Sequence, residues 1–240
     1  MLTRSLLIIS ACLLLAACGR EAPPPASTRV PAPAASAAGP VVARPRIVFL
    51  GDSLTAGLGL EPAQSYPSLV GQRLASEGYP YEIVNAGVSG DTSAGGLRRL
   101  EWSLDGDVRV LVVALGANDG LRGLSPAEMK KNLAAVIEQA TAKGVTIVLA
   151  GMEAPPNFGA DYTRQFRAVY SDLAQEYRVR FIPFLLLGVA GNGSFNQSDG
   201  IHPNVRGAQM VADLVWAELK PALTRPNQVI TPQAPGPKPR

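Results

Sequence analysis

The chain of 240 residues carries 22 Lys and Arg against 19 Asp and Glu, a net charge of +3, and 47% of its residues are hydrophobic. This length fits one or two domains, and the apolar content is enough for a sizeable core. The basic residues form only isolated pairs, Arg98-Arg99 and Lys130-Lys131, so nucleic-acid binding is not expected. Two cysteines and one histidine are too few for a disulfide framework or a Cys/His zinc site. A hard-cation site made of carboxylates alone stays open, although no spacing suggests one, and no metal is predicted.

Residues 1–17 have the layout of a secretory signal peptide, with Arg4 ahead of an uncharged apolar run from Leu6 to Ala17. This run is shorter than the roughly 20 apolar residues that a membrane-spanning helix needs. It ends in Leu15-Ala16-Ala17-Cys18-Gly19, which resembles the bacterial lipobox. The resemblance implies an exported protein whose lipid-modified Cys18 anchors it to the cell envelope, and Gly19 in place of Asp favours the outer membrane, facing the periplasm. The alternative is an ordinary signal peptide that ends near a cysteine.

Two further segments have compositions that do not support a packed core. Residues 18–45 are rich in Pro, Ala and Ser and contain almost no large apolar residue, which is typical of an extended tether. Residues 224–240 are Pro-rich and are predicted to be a disordered tail. The folded domain is therefore predicted to span residues 46–223.

Within this domain, short apolar runs alternate with helix-like stretches. Strands are predicted at Ile47–Leu50, Tyr81–Asn85, Val108–Leu115, Val145–Ala150 and Phe181–Ile182. Helices are predicted at Pro62–Glu77, from an N-cap at Ser125 to Lys143, at Tyr162–Tyr177 and at Val205–Leu219. This order indicates a three-layer α/β/α fold with about five parallel strands and helices on both faces. In such folds, sites form at the carboxyl ends of the strands.

The single histidine and one serine are candidates for catalysis. Asp199 lies three residues before His202, close enough for its carboxylate to reach and orient the imidazole. Ser53 directly follows the first predicted strand in Gly51-Asp52-Ser53-Leu54, where a turn would expose its hydroxyl at the edge of the sheet. Taken alone, such a histidine is more often a capping or surface residue, and Gly-Asp-Ser is more often a plain turn.

Two more strand ends carry hydrogen-bond donors. Gly90 follows the second predicted strand in Ser89-Gly90-Asp91-Thr92, and Asn118 follows the third in Gly116-Ala117-Asn118-Asp119. A glycine N–H and an asparagine amide are suitable donors to a tetrahedral oxyanion. Both residue types are also common in turns, so neither decides the function by itself.

The four motifs that contain Ser53, Gly90, Asn118 and Asp199–His202, in their order along the chain, together resemble the SGNH (GDSL) hydrolase family. Residues 118–123, 152–159 and 199–204 also look like its bacterial arylesterase, thioesterase I and lysophospholipase branch. The resemblance implies a flavodoxin-like sheet and a serine esterase that works through an acyl-enzyme without a cofactor. It assigns Ser53 as nucleophile, His202 as base and Asp199 as the residue that orients it. The oxyanion would be held by the N–H groups of Ser53 and Gly90 and by the side chain of Asn118.

The substrate and two other functions stay open at this stage. Apolar residues in the loops, Leu121, Leu124 and Phe158, would suit the acyl or aryl groups of carboxylic esters, acyl-thioesters or lysophospholipids. A carbohydrate O-deacetylase of the same family is one alternative, and a non-catalytic lipoprotein that binds lipid or glycan is another. An α/β-hydrolase is disfavoured because Gly87-Val88-Ser89-Gly90-Asp91 ends in Asp where its elbow needs Gly.

Overall fold

The computed structural model describes residues 44–223. The predicted signal peptide, Cys18, nearly all of the tether and the C-terminal tail lie outside these residues, so their boundaries stay predictions. None of the helices in the described part of the chain is both long and apolar enough to cross a membrane.

The centre of the fold is a five-stranded sheet in which every neighbouring pair is parallel. The strands are β1 (Arg46–Gly51), β2 (Glu82–Gly87), β3 (Val108–Ala114), β4 (Thr146–Ala150) and β5 (Arg180–Ile182), in the spatial order β2-β1-β3-β4-β5. The predicted parallel α/β sheet is confirmed, and each predicted strand is present within two residues at either end.

Eight helices connect and cover the strands of the described chain. They are α1 (Ser53–Ala56), α2 (Tyr66–Ser76), α3 (Ser93–Arg98), α4 (Leu100–Ser103), α5 (Ala117–Leu121), α6 (Pro126–Ala142), α7 (Ala160–Tyr177) and α8 (Val205–Leu219). Short 3₁₀ turns occupy Pro62–Gln64, Pro156–Phe158 and Lys220–Ala222. Helix α2 packs against α8, whereas α6 packs against α3 and α7.

The central strand β3 shows that helices cover both faces of the sheet. Its consecutive residues Leu111, Val112 and Val113 are all fully buried. Since successive side chains of a strand point to opposite faces, both faces must be covered. This burial explains the nearly unbroken apolar run from which the strand was predicted.

Helix α6 forms where its end signals predict it. The Ser125 hydroxyl accepts the Glu128 N–H at 3.4 Å, Pro126 occupies the first turn, and Gly144 adopts φ +75° just after the end. A serine cap, a proline with no N–H to satisfy and a left-handed glycine are the usual boundaries of a helix. Helix α8 has the bounds that the sequence predicts.

The predicted helix Pro62–Glu77 is wrong in one respect, because the chain breaks at Ser65. Ser65 has an extended backbone (φ −62°, ψ 145°), and its hydroxyl accepts the Ser68 N–H at 3.4 Å as the N-cap of α2. Pro67 in the first turn needs no acceptor, which favours a new helix start there. The break places Tyr66 in the core, where its hydroxyl lies 2.8 Å from Oγ1 of Thr55 in α1.

Four short helices, α1, α3, α4 and α5, were not predicted as helices. Each has between four and six residues, too few for an apolar repeat to be recognised. Two of them carry predicted site residues, because Ser53 begins α1 and Asn118 lies in α5.

Candidate active site

Ser53 is held by a tight turn between β1 and α1. The preceding residue, Asp52, is the N-cap of α1, and its Oδ1 accepts the Leu54 N–H at 3.0 Å. A Cβ atom at Gly51 would lie 2.0 Å from Thr55 Oγ1 and 2.9 Å from the Ala114 carbonyl oxygen. Only glycine therefore fits between β1, β3 and the helix, and this close approach directs Ser53 to the carboxyl edge of the sheet.

His202 is positioned by a small antiparallel turn in the segment 183–204, which contains no strand or helix of its own. Asn196 forms an isolated bridge with Pro203, and the Gln197 N–H donates to the His202 carbonyl at 2.8 Å. Gly200 makes the turn at φ +71°. Just beyond it, Asn204 caps α8 by accepting the N–H groups of residues 206 and 207. Both ends of the short stretch around His202 are therefore fixed.

Ser53, His202 and Asp199 form a continuous chain of hydrogen bonds. Ser53 Oγ lies 2.8 Å from His202 Nε2 across 149 residues of sequence, and His202 Nδ1 lies 2.6 Å from Asp199 Oδ2. A carboxylate accepts the proton on Nδ1, which leaves Nε2 free to accept one from the serine hydroxyl. The geometry therefore provides a nucleophile, a base and an orienting acid in contact.

The Asp199 carboxylate is held in its ionised form. Its Oδ1 accepts the backbone N–H groups of His202 at 3.0 Å and of Ile201 at 2.9 Å. These donors, with the His202 side chain, lower the pKa of Asp199 from its ordinary value to about 2. The side chain is 43% exposed, so the hydrogen bonds and not burial determine this shift.

Gln197 links the two sides of the site. Its Nε2 donates to the Leu58 carbonyl, next to α1, at 2.7 Å and to the Pro203 carbonyl at 3.0 Å. A Cβ atom at Gly59 would lie 2.1 Å from Gln197 Oε1, so glycine is needed for this approach. One amide therefore joins the histidine segment to the serine turn.

Asn118 points its amide between two neighbouring segments. Its Nδ2 donates to the Asp91 carbonyl at 3.0 Å and to Asp52 Oδ2 at 3.3 Å. The first contact is next to Gly90 and the second is next to Ser53. The three residues predicted to hold an oxyanion therefore belong to segments that meet at this amide.

Asp52 is a residue of the site that the sequence reasoning did not identify. It is only 1% exposed, and burial raises its pKa from the ordinary value to about 6, against the lowering effects of the Leu54 N–H and His202. A usable signal was present, since an acid directly after a fully apolar strand must be either exposed or bonded. Here it is bonded, and it orients Asn118.

Gly90 lies in the turn after β2 with φ +81°, a conformation that favours glycine. Its carbonyl accepts a hydrogen bond from Arg122 Nη2 at 2.9 Å, while its N–H finds no partner among residues 44–223. The Arg99 guanidinium holds this turn, because it donates to Asp91 Oδ2 at 2.6 Å, to the Ala86 carbonyl at 2.7 Å and to the Gly51 carbonyl at 2.8 Å. The ends of β1 and β2 are thus tied to the Gly90 turn.

Asp119 and Tyr170 support the Asn118 segment. Asp119 belongs to the third motif, but the sequence assigned a role to neither residue. The buried Asp119 carboxylate accepts the Ser93 N–H at 2.8 Å and the Ser93 hydroxyl at 2.6 Å. The Tyr170 hydroxyl donates to the Leu115 carbonyl at 3.0 Å. A Cβ atom at Gly116 would lie 2.1 Å from that hydroxyl, which accounts for glycine there.

Residues 49–210 match the sequence profile of the GDSL-like lipase/acylhydrolase family. The chain belongs to this family. Similar proteins include an esterase TesA from Pseudomonas aeruginosa, which is 44% identical over 74% of this chain and 89% of its own length. A thioesterase 1/protease 1/lysophospholipase L1 from Escherichia coli K12 is 35% identical over 73% of this chain and 83% of its own. Among solved structures, the psychrotrophic esterase EstA from Pseudoalteromonas, inhibited by monoethylphosphonate, has a TM-score of 0.70 at 30% identity and covers 73% of this chain and 97% of its own.

In this GDSL-family member, a cleft of about 700 Å³ opens beside the nucleophile. Its walls come from the loops after β1, β3 and β4 and from the histidine segment that follows β5. They include Ser53, Asn118, Leu121, Met152, Phe184, Leu186, Ile201 and His202. Leu121 lines the cleft, as the loop composition suggested, whereas Leu124 and Phe158 lie outside its lining. Within residues 44–223, no group of three or more His, Cys, Asp or Glu side chains is arranged to hold a metal ion.

Proposed function

We propose that this protein is a serine esterase that hydrolyses carboxylic esters through an acyl-enzyme on Ser53. The observation that carries the proposal is the unbroken hydrogen-bond chain from Ser53 Oγ through the His202 ring to Asp199. A serine hydroxyl is a weak nucleophile at neutral pH, and an adjacent oriented imidazole is what activates it. Ser53 and His202 line an apolar cleft, where the carbonyl of an ester can approach the serine.

The reaction proceeds in two halves. Ser53 Oγ attacks the ester carbonyl as its proton passes to His202 Nε2, and the imidazolium then protonates the leaving alcohol. Ionised Asp199 stabilises that imidazolium and fixes its orientation. Water, deprotonated by His202, next attacks the acyl-enzyme and releases the acid, which restores Ser53.

The negative oxygen formed by each attack needs donors. We assign this role to the N–H groups of Ser53 and Gly90 and to the Asn118 amide. Both N–H groups of that amide already have acceptors, at 3.0 Å in Asp91 and 3.3 Å in Asp52. The bond to Asp52 is the longer and weaker one, so we assign its N–H as the one that the oxyanion shares while Asp52 keeps the amide in place.

The lining of the cleft favours an acyl or aryl group as the substrate's bulk. Leu121, Met152, Phe184 and Ile201 present carbon surface, whereas a sugar O-deacetylase would need many hydrogen-bonding groups in the same place. The relatives are named as an esterase and as a thioesterase and lysophospholipase. Aryl esters, short acyl esters, acyl-thioesters and lysophospholipids are the candidate substrates. A chain-length series of nitrophenyl esters, assayed beside an acyl-CoA and a lysophospholipid, ranks them.

The test of the proposed function is covalent labelling by a fluorophosphonate. We expect stoichiometric labelling of the wild type, none of Ser53→Ala, and full labelling of Ser171→Ala, which removes an exposed hydroxyl on α7. The loss of esterase activity in Ser53→Ala should be on the order of 10⁶-fold in kcat. Labelling and activity that survive Ser53→Ala would reject the assignment. A correctly folded wild type that is neither labelled nor active would favour the lipid- or glycan-binding alternative.

We also propose that the protein is exported and anchored to the cell envelope, in the outer membrane facing the periplasm, by acyl chains on Cys18. The support is the signal-like stretch 1–17 and the lipobox-like sequence around Cys18. The wild type should fractionate with membranes, and Cys18→Ser should not be lipidated. Mass spectrometry that finds an unmodified mature N-terminus would contradict the anchor while leaving the esterase proposal intact.

A further inference from the structure

The two adjacent arginines at the end of α3 have different surroundings. Arg98 is exposed. The Arg99 side chain is only 18% exposed and pairs with the Asp91 carboxylate, which is 15% exposed. Well-packed apolar side chains can often replace a pair that is this far from water without loss of stability. Stability alone therefore does not explain why an arginine lies here.

The Arg99 guanidinium binds three segments of the chain, each through a different nitrogen. Nε donates to Asp91 Oδ2 at 2.6 Å, Nη1 to the Ala86 carbonyl at 2.7 Å and Nη2 to the Gly51 carbonyl at 2.8 Å. These acceptors belong to the turn after β2, to the end of β2 and to the end of β1. Because the guanidinium is planar and rigid, it fixes the distances among all three acceptors, which the single nitrogen of a lysine does not.

Each acceptor residue is a neighbour of a proposed oxyanion donor or is bound by one. Gly51 lies two residues before Ser53 in the tight turn at the end of β1. Asp91 directly follows Gly90, and its carbonyl accepts the Asn118 amide at 3.0 Å. The guanidinium therefore acts on the positions of all three donors through the residues beside them.

The turn that carries Gly90 is held at both of its ends. At its start, the Val88 N–H donates at 3.0 Å to the Gly51 carbonyl, which is also the acceptor of Arg99 Nη2. At its end, the Asp91 N–H donates to the Val88 carbonyl at 3.0 Å, and the Asp91 carboxylate binds Arg99. Gly90 is the third residue of this four-residue turn and has φ +81°, as a type II turn requires.

The Gly90 N–H belongs to the central peptide of this turn. Turns of types I and II differ mainly in the direction of that peptide, and neither type gives its N–H a partner inside the turn. The direction of the Gly90 N–H therefore depends on how firmly the ends of the turn are held. A loosened turn lets this N–H rotate away from the oxygen that Ser53 creates by its attack.

We propose that Arg99 is a positioning residue that keeps the three oxyanion donors at their catalytic distances. This role rests on the proposed esterase activity, and it is exerted through neighbouring residues without contact to the substrate. Because the oxyanion exists only after Ser53 attacks, loss of Arg99 should lower kcat and leave KM nearly unchanged. A misplacement of about 1 Å in an active site can cost roughly 10²-fold in rate.

The experiment compares three variants of the full chain on a soluble nitrophenyl ester. Arg99→Gln removes the charge and the planar fork, and it should lower kcat by about 10²-fold. Arg99→Lys keeps the charge but not all three bonds, so its kcat should lie between those of Arg99→Gln and the wild type. Arg98→Gln, at the exposed neighbour, is the matched control and should equal the wild type. Circular dichroism and melting temperatures give the folded fraction to which each kcat is normalised.

A second measurement separates stabilisation of the oxyanion from stability of the fold. Phenylboronic acid binds serine hydrolases as a tetrahedral anion on the serine oxygen, so its inhibition constant depends on the same donors without turnover. Arg99→Gln should weaken this inhibition by about the factor by which kcat falls, and Arg98→Gln should leave it unchanged. If Arg99→Gln does not fold, kcat and boronate inhibition of Arg99→Lys decide the question.

Several results would overturn this role of Arg99. An Arg99→Gln enzyme that melts early but keeps the wild-type kcat per folded molecule would make the residue purely structural. A rise in KM at constant kcat, or a fall in kcat with unchanged boronate inhibition, would also reject it. Equal kcat in Arg99→Lys and the wild type would show that the three-way contact is not required. A wild type that hydrolyses no ester would reject the proposed esterase itself, and with it the role of Arg99, which is distinct from active wild-type and Arg99→Gln enzymes.

Discussion

The two halves of the site are built in contrasting ways. Ser53 and Asp52 follow a buried strand and are fixed by close backbone packing, and Asp52 is 1% exposed. His202 and Asp199 lie in a long segment of turns, and the Asp199 side chain is 43% exposed. The two carboxylates flank the same Ser–His pair, yet the pKa of Asp52 rises to about 6 while that of Asp199 falls to about 2.

This contrast shows that surroundings, and not residue type, decide what each acid can do. Asp199 receives two backbone N–H groups and the imidazole, and these donors stabilise its ionised form and lower its pKa. Asp52 is buried away from water, and its hydrogen bonds only partly compensate for the lost hydration. Its ionised form is therefore less stable than that of an exposed carboxylate. The exposed acid therefore serves the base, and the buried acid serves the position of Asn118.

Replacing Asp199 with Asn should have the largest effect on kcat among the variants of the two acids and Asn118. Asparagine keeps an oxygen for the N–H groups of Ile201 and His202, but it puts a donor where the imidazole Nδ1–H needs an acceptor. We expect kcat to fall by about 10⁴-fold with the fold intact. The control Asp172→Asn, in an exposed ion pair on α7, should change kcat little. A full-activity Asp199→Asn enzyme would show that another group orients His202.

Replacing Asn118 with Ala tests the position that Asp52 supports. Its amide meets a charge that exists only after attack, so kcat should fall by roughly 10²–10³-fold, about 2.7–4 kcal/mol, with KM nearly unchanged. Asn157→Ala, in the exposed turn after β4, is the matched control. If Asn118 only shapes its loop, the variant will melt early and retain kcat per folded molecule, so the melting temperature must be measured alongside.

Replacing Asp52 with Asn affects stability and its dependence on pH. A carboxyl whose pKa is raised in the folded state binds its proton more tightly there than in the unfolded chain. The wild type therefore loses stability as pH rises from about 4 to about 6, by on the order of 3 kcal/mol in total. Asp52→Asn lacks this titration, so its free energy of unfolding relative to wild type should increase across that range. Urea unfolding of both proteins at several pH values measures it, and a constant difference would show that Asp52 is not perturbed.

The same contrast explains which parts were predictable from sequence. Strand β3 and the start of α6 follow from local signals, an apolar run and the Ser125-Pro126 cap, and the structure contains both. The break at Ser65 was missed although a signal was present, because Pro67 lies five residues beyond Pro62 and is unfavourable inside one continuous helix. The roles of Asp52 and of Gln197 were missed because their partners are 66 and 139 residues away. The order of the motifs was enough to predict which residues form the site, but the distances between them follow only from tertiary packing.

The Gln197 amide has a consequence for how the protein responds to heat. It joins the histidine segment to the serine turn through an exposed hydrogen bond to Leu58. The first half of that segment is anchored by buried side chains such as Leu185 and Val189, whereas residues 197–202 bury no apolar side chain. Turns with few buried apolar contacts open at lower free energies than core strands. On warming, the distance between Ser53 and His202 should therefore become variable while the sheet is still native. The enzyme would lose activity reversibly at temperatures where its circular dichroism is unchanged, and its working range would end below its melting point.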